Sequence, residues 1–377
     1  MVRDGNLIIG VPKEVKNGEY RVSLTPSGVR TLVGSGHLVL IETKAGDASG
    51  FNDRDYREAG ASIISESAKV YYDCDMVTKV KEPQQTEYDL FRKDLVVCAG
   101  YHLASDQKLT HVLMEKGTTA VAYDTIQLAD GRLPILTPMS QIAGRLAIQV
   151  AAQYLGRAHG GNGKLLSGVP GVPPCTVVII GGGVVGTNAA QVALGMGARV
   201  VMITRNLDRI RYLSEILHGK FETLVSNPEN IADAVGKADV VIGAVLVTGA
   251  RPPIVVTRDM VKNMRHGSVI VDVASDQGGC IETIRITTHS DPTYVVDGVI
   301  HYGVPNMPGD VPRTSTIALT NTTLPYILGL ADLGFTEAVS RDSALAMGVN
   351  VYKGRVTHPG VAEAHNLDYT PLSQLLC

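Results

Sequence analysis

The segment that most constrains this 377-residue chain is Val177-Val178-Ile179-Ile180, which runs straight into Gly181-Gly182-Gly183-Val184-Val185-Gly186. Four aliphatic residues in a row fit a strand buried on both faces. The glycines then fall at the spacing Gly-x-Gly-x-x-Gly, with Gly181 for a tight turn, Gly183 for close approach of backbone to a pyrophosphate, and Gly186 for tight helix–strand packing. A helical pattern over residues 187–195 and an apolar run over 199–203 complete a strand–turn–helix–strand unit. In that unit the first helix aims its free N–H groups at phosphate. A tight turn without a ligand is the plain alternative, and the flanking elements favour the dinucleotide reading. The same letters, from Thr176 to Ile203, imitate a membrane span in length. Three early glycines and then Asn188, Gln191 and Arg199 argue against one.

The rest of the chain repeats the alternation. Strands are expected at residues 7–11, 38–42, 76–80, 96–99 and 119–123, then at 176–180, 199–203, 240–243 and 269–273, with helices between. Residues 26–32 begin on a proline and 53–59 suit a second helix; Gly34-Ser35-Gly36 and Gly60 supply stops. A long proline-free helix over 140–157 reads as a rigid connector. After about Arg313, helices over 315–330 (with Pro325 inside) and 335–347 form a tail expected to lack strands and to pack back on the first domain. The resulting expectation is an α/β protein with two Rossmann-like domains, parallel sheets and a cleft between them. A discontinuous substrate domain takes residues 1–137 and 313–377, and a dinucleotide-binding domain takes 138–312.

Composition narrows the function classes. With 45% hydrophobic and 19% charged residues the chain has material for ordinary cores. A net charge of −3, no tryptophan and 5% aromatics leave neither a basic field nor a stacking platform, so nucleic-acid and membrane-surface partners are not expected. Cys74, Cys98, Cys175, Cys280 and Cys377 show no Cys-x-x-Cys spacing, so neither a disulfide framework nor a metal site is expected. They read as small buried thiols in a reducing cytoplasm. The apolar run after Met1–Asn6 is too short for a secretory signal.

In parallel α/β sheets, ligands sit beyond the carboxyl ends of the strands. Arg21, Lys81, His102 and Asp276 all fall just past expected strand ends. Singly, each has an ordinary explanation: a surface ion pair for Arg21, a solvated edge for Lys81, one histidine among ten, a turn-shaping aspartate. Together, two cations, an imidazole and a carboxylate suit a small carboxylate substrate undergoing proton transfer.

These residues also carry a resemblance. Gly10-Val11-Pro12-Lys13-Glu14, Glu19-Tyr20-Arg21-Val22, Lys79-Val80-Lys81-Glu82-Pro83, Tyr101-His102-Leu103-Ala104, Pro138-Met139-Ser140, Gly168-Val169-Pro170-Gly171-Val172, Ser275-Asp276-Gln277-Gly278-Gly279 and Pro305-Asn306-Met307-Pro308 occur in this order. The chain thereby resembles the alanine dehydrogenase family, which is related to the NAD-binding component of proton-translocating transhydrogenase. The resemblance implies an enzyme that interconverts L-alanine with pyruvate and ammonia using NAD(H), in a homohexamer. It implies that Arg21 and Lys81 bind the substrate carboxylate and carbonyl, with His102 as a further substrate contact. It assigns His102 and Asp276 as the catalytic acid/base pair. Ser140, Gly183 and Val184 resemble phosphate contacts beside Gly181 and Gly186, and Asn306 a nicotinamide-side residue.

Two positions depart from the family pattern. The acid expected at the end of the second strand, to hold a ribose hydroxyl, is Thr204, eighteen residues after Gly186, and Arg205 follows it. A missing anion beside a new cation suits a 2′-phosphate, hence NADP(H); a solvated loop arginine is the alternative. Where the family commonly has Tyr-Glu-Thr, this chain has Tyr123-Asp124-Thr125. Three rival functions stay open on sequence alone: a transhydrogenase NAD-binding module, a nucleotide-sensing protein that kept the fold without catalysis, and a related amino-acid dehydrogenase of other substrate preference, such as a saccharopine-type enzyme, which the motifs fit less well.

Overall fold

The structure, a computed structural model, describes residues 6–245 and 252–376. They fall into two compact units, one within Met1–Met139 and Val311–Cys377, the other within Ser140–Asp310.

The first unit is built on strands β1 (Ile8–Val11), β2 (Leu38–Glu42), β3 (Ser62–Ile64), β4 (Met76–Lys81), β5 (Val96–Gly100) and β6 (Thr119–Ala122). The second carries β7 (Thr176–Ile180), β8 (Arg199–Thr204), β9 (Phe221–Val225), β10 (Val240–Gly243), β11 (Val269–Asp272), β12 (Thr293–Val296) and β13 (Val299–Tyr302). The chain then adds β14 (Val349–Tyr352) and β15 (Arg355–Val356) to the first sheet.

Strand order in the first sheet is β15-β14-β6-β5-β4-β1-β2-β3, and in the second β12-β13-β11-β10-β7-β8-β9. Pairing is parallel except at one edge of each sheet, where β14, β15 and β12 run antiparallel. Both sheets therefore share the doubly wound order, with the order of strand addition reversing at the parallel pair β1/β4 and again at β7/β10. Ligands favour the crevice at such a switch point. Alternation along the strands buries both faces of the first sheet. Met76 and Cys98 join one apolar cluster, and Val77, Val97 and Ala99 join the other.

The tail corrects the expectation that it lacks strands. The expected helix over 335–347 is broken at Asp342, whose side chain caps Ser343–Gly348, and β14 follows at once. The helix around Pro325 is longer than expected, Pro312–Leu333, and continues through the proline. The long connector runs Leu136–Tyr154. The second sheet gains β9, β12 and β13 beyond the four strands expected. No helix among the described residues is long and apolar enough to cross a membrane. Cys74, Cys98, Cys175 and Cys280 are buried; Cys377 lies outside the described residues.

Candidate active site

On the first unit, β1, β4, β5 and β6 are consecutive neighbours and parallel, so the residues after their carboxyl ends share one edge of the sheet. Arg21 lies in the loop after β1, Lys81 closes β4, His102 follows β5 by two residues, and Asp124 follows β6 by two.

The loop carrying Arg21 is tied down by hydroxyls. Val22 N donates to Thr316 Oγ1 at 3.1 Å, Thr320 Oγ1 donates to Ser23 O, and Ser23 Oγ donates to Thr78 O on β4 at 2.7 Å. Arg21 is buried, and its guanidinium forks onto Glu19, Nε to Oε1 at 2.6 Å and Nη2 to Oε2 at 2.5 Å. Such a bidentate pair fixes the plane of the cation. Nη1 rests on the thioether of Met139 at 3.2 Å. Burial pushes the Glu19 carboxyl up, but the bonds and charge of Arg21, helped by Lys81, hold it below its ordinary value. It stays an anion and an anchor.

A β-bulge sets the direction of Lys81. Three steps on β4, from Thr78 to Lys81, oppose two on β5, from Cys98 to Gly100. The extra residue breaks the alternation that would put Lys79 and Lys81 on one face. Lys79 turns into the interior, fully buried, with Glu14 Oε2 at 3.2 Å and Glu87 Oε1 at 3.0 Å. Glu14 reaches the same strand through its other oxygen, accepting from Val80 N at 2.6 Å, and Glu87 accepts from Tyr71 OH and Gln84 N. Lys81, partly buried, has no hydrogen-bond or ion-pair partner among the described residues. Its pKa is lowered, first by burial and then by the charges of Arg21 and Lys16. A desolvated ammonium beside another cation is poised to meet an anion or to give up a proton.

His102 takes a left-handed backbone conformation, φ 52° and ψ 43°, and its side chain is 51% exposed. Its Nδ1 lies 3.6 Å from Asp124 Oδ2.

On the second unit the glycine loop follows β7 as the sequence predicts. Gly181 has φ +112°, and a Cβ there would lie 2.3 Å from the carbonyl of Ala244, past β10. A Cβ on Gly186 would lie 1.9 Å from Gly181 O, so only glycine lets the helix Val184–Gly195 approach β7. At Gly183 a Cβ would meet nothing within 4 Å. That open side, at the N-cap of the helix, fits a dinucleotide pyrophosphate. Two substitutions separate these roles. Gly183→Ala is expected to keep the thermal midpoint and weaken dinucleotide binding on the order of tenfold, about 1.4 kcal/mol. Gly186→Ala is expected to lower both. Titration with the reduced dinucleotide beside a thermal melt reads the difference.

Thr204 closes β8 and Arg205 is exposed after it. The sequence reading overlooked Arg209, which donates through Nε to Gly182 O at 2.5 Å and through Nη2 to Thr187 Oγ1 at 2.8 Å. It thus clamps the glycine loop to its helix. Val184 is the first residue of that helix, Ser140 lies in the first turns of Leu136–Tyr154, and Asn306 has a left-handed φ of 53°. Asp276 is exposed, in the short helix Ser275–Gln277 past β11. The loop that carries it is stapled by Asp272, a buried carboxyl missed in the sequence, which accepts from Ala274 N at 3.0 Å and Cys280 N at 2.8 Å. Burial pushes the Asp272 pKa up to about 6 against the pull of those amides. A Cβ on Gly243 or Gly279 would come within 3 Å of that carboxyl, which explains both glycines.

The structure therefore gathers Arg21, Lys81 and His102 at one sheet edge of the first unit. On the second, Gly181, Gly183, Gly186, Val184 and Thr204 lie around one switch point. Among the described residues no cluster of histidine, cysteine or carboxylate ligands could hold a metal ion. The supporting acids Glu14, Glu19, Glu87 and Asp124 were missed as site residues. Glu14 and Glu19 lie inside motifs that sequence reading had already singled out, and that proximity was the available signal.

Comparison with known proteins bears on the chain's family. The family model for the N-terminal domain of alanine dehydrogenase/PNT matches residues 10–143, and the one for the C-terminal domain matches 147–359. Alanine dehydrogenase 2 of Staphylococcus aureus (strain USA300) is 53% identical over 369 residues, 98% of this chain and 99% of that protein. The alanine dehydrogenase of Staphylococcus haemolyticus is 54% identical over the same length. A solved L-alanine dehydrogenase superposes with a TM-score of 0.93 at 53% identity, covering 95% of this chain and 99% of the other. A transhydrogenase from Sinorhizobium meliloti, 24% identical with a TM-score of 0.78 over 93% of this chain and 99% of its own, shares the fold. By these matches along nearly its whole length, this chain belongs to the alanine dehydrogenase/PNT family.

Proposed function

We propose that this protein is an alanine dehydrogenase, catalysing the reversible oxidative deamination of L-alanine to pyruvate and ammonia with a nicotinamide dinucleotide. The observation that carries the proposal is the set Arg21, Lys81 and His102 at the carboxyl ends of adjacent parallel strands. A dinucleotide bound at the glycine loop supplies the two-electron acceptor; the residues supply orientation and charge.

Arg21 holds the substrate carboxylate. Glu19 has already fixed the guanidinium plane, and a carboxylate readily outcompetes the Met139 thioether at Nη1. That grip orients Cα for loss of its hydrogen. Lys81 sits where the carbonyl oxygen gains charge in the reductive direction and stabilises it. His102 exchanges the proton with that oxygen. Asp276, on the second unit, moves protons for the water that adds to the iminium and for the departing ammonia. Residues 1–137 with 313–377 serve as the substrate domain and 138–312 as the dinucleotide domain. Ser140 and Val184 add phosphate contacts, and Asn306 a contact on the nicotinamide side. The family's hexamer and a cytoplasmic location are part of the same reading.

On the cofactor, NAD(H) is the family's, and Thr204 with the exposed Arg205 supports use of NADP(H) as well. Neither position carries an anion that would repel a 2′-phosphate. Comparing kcat/KM for the two oxidised dinucleotides with alanine tests this. Measurable NADP⁺ turnover is expected, and Thr204→Asp should cut it by about tenfold or more while sparing NAD⁺. An enzyme that ignores NADP⁺ before and after the change contradicts the cofactor reading. An enzyme inert with both dinucleotides contradicts the function.

A further inference from the structure

We propose that Asp124 is the positioning residue of His102. It holds the strand tip that presents the imidazole and orders the ring so that Nε2 is the nitrogen offered to substrate. The inference deepens the reading of His102 as the acid/base and rests on it.

A single carboxylate straddles two successive amides. Asp124 Oδ1 accepts from Tyr101 N at 2.8 Å and Oδ2 accepts from His102 N at 3.1 Å. The same Oδ2 lies 3.6 Å from His102 Nδ1, within ion-pair distance. The Asp124 side chain is only 9% exposed, against 51% for His102. A well-shielded anion thus backs an accessible ring.

The backbone explains why such a clamp is needed. His102 adopts φ 52°, a left-handed conformation that is unfavourable for a residue with a Cβ and persists only where the surroundings hold it. Several contacts hold this one. Ser105 N and Oγ both donate to His102 O, at 2.9 and 2.8 Å. His365, on the helix Pro359–His365, bonds Leu103 O at 2.6 Å. Thr125, next to Asp124, donates to Asn350 Oδ1 on β14 at 2.8 Å. The returning C-terminal segment therefore braces both sides of the Asp124–His102 pair.

The chemistry follows from the geometry. A carboxylate has acceptors only, so the ring nitrogen facing it is best satisfied as N–H. With the proton on Nδ1, Nε2 carries a lone pair and can take or return the proton of the substrate oxygen. When the ring passes through its cation, the charge forms 3.6 Å from a fixed anion. The short Asp124 side chain is just long enough to reach two amides of the neighbouring strand tip, which gives the aspartate in Tyr123-Asp124-Thr125 a physical role.

The test is Asp124→Asn, nearly isosteric, with one acceptor oxygen and no charge. It should lower kcat for alanine oxidation by at least about tenfold, with KM for alanine and the dinucleotide Kd within about twofold. In ¹⁵N spectra of histidine-labelled protein the wild-type His102 ring should carry its proton on Nδ1, and in the variant the Nε2–H form should gain population. Asp124→Glu should restore a large part of kcat. Wild-type kcat in Asp124→Asn, or a wild-type ring protonated mainly on Nε2, overturns the proposal. The ring measurement needs no turnover, so it decides even if the asparagine variant fails to fold. His102→Ala isolates the reading beneath: retained turnover there refutes His102 as the acid/base and leaves the tautomer result to judge Asp124.

Discussion

Replacing Lys81 with alanine lowers kcat on the order of 10²–10³-fold and leaves the fold at least as stable as before. Both halves of that expectation come from the surroundings of the ammonium. Burial together with the nearby Arg21 and Lys16 already lowers the Lys81 pKa, so the charged form is held at some cost to the fold. Removing it relieves repulsion and breaks no ion pair among the described residues. Glu19 and Glu82 lose only a nearby charge, while the reacting oxygen loses its partner. Glu19 still fixes Arg21 through a bidentate fork, and the glycine loop lies on the other compact unit, so dinucleotide affinity should stay within about twofold. Steady-state rates, a binding titration and a thermal melt on one variant check all three parts. Near-normal turnover would remove Lys81 from the reaction.

The second large effect lies two residues away and has the opposite character. Lys79→Met is expected to cost the first unit about 3–5 kcal/mol, because it leaves Glu14 and Glu87 buried without their cation. That should lower the thermal midpoint on the order of 10 °C. The loss should depend on pH. Burial already raises the Glu14 pKa, with Glu19 and Glu87 adding to it, and Lys79, helped by the Val80 amide, opposes them. A carboxyl with a raised folded-state pKa favours the fold below its unfolded value and loses that contribution as pH rises through the folded one. Without Lys79 the raised value climbs further, so the deficit should shrink as the pH falls from 8 towards 5. The triple change Lys79→Met, Glu14→Gln, Glu87→Gln removes every charge of the network and should recover most of the midpoint. If Lys79→Met melts like the parent at pH 8, the network contributes nothing to stability.

The two lysines also show what could be read in the sequence. Lys79-Val80-Lys81 reads as a strand end with solvated cations; instead Lys79 is fully buried and Lys81 is partly buried and desolvated. The bulge that separates the two arises from pairing with β5, and the acids that neutralise Lys79 lie 65 residues before it and eight after. Local periodicity carries no trace of either. The glycine loop was legible because its determinants are local: a strand, three glycines and a helix within about twenty residues. Strands β14 and β15 were missed because four and two residues after a helical run give too short an alternation to detect. β9 was missed as a half-exposed edge strand whose apolar residues do not alternate cleanly. Asp124 was noticed as a departure, but its two amide partners lie just past the end of the neighbouring strand β5, and only the sheet register brings them together.

The cations and imidazole at the strand ends are proposed to serve amination chemistry. The direct measurement incubates the purified protein with pyruvate, ¹⁵N-ammonium and reduced dinucleotide, and follows products by chiral chromatography with mass detection. One ¹⁵N-labelled L-alanine is expected for each dinucleotide oxidised, with no oxidation in the absence of ammonium. Dinucleotide oxidation that proceeds without ammonium and yields lactate, or no oxidation at all, would contradict it.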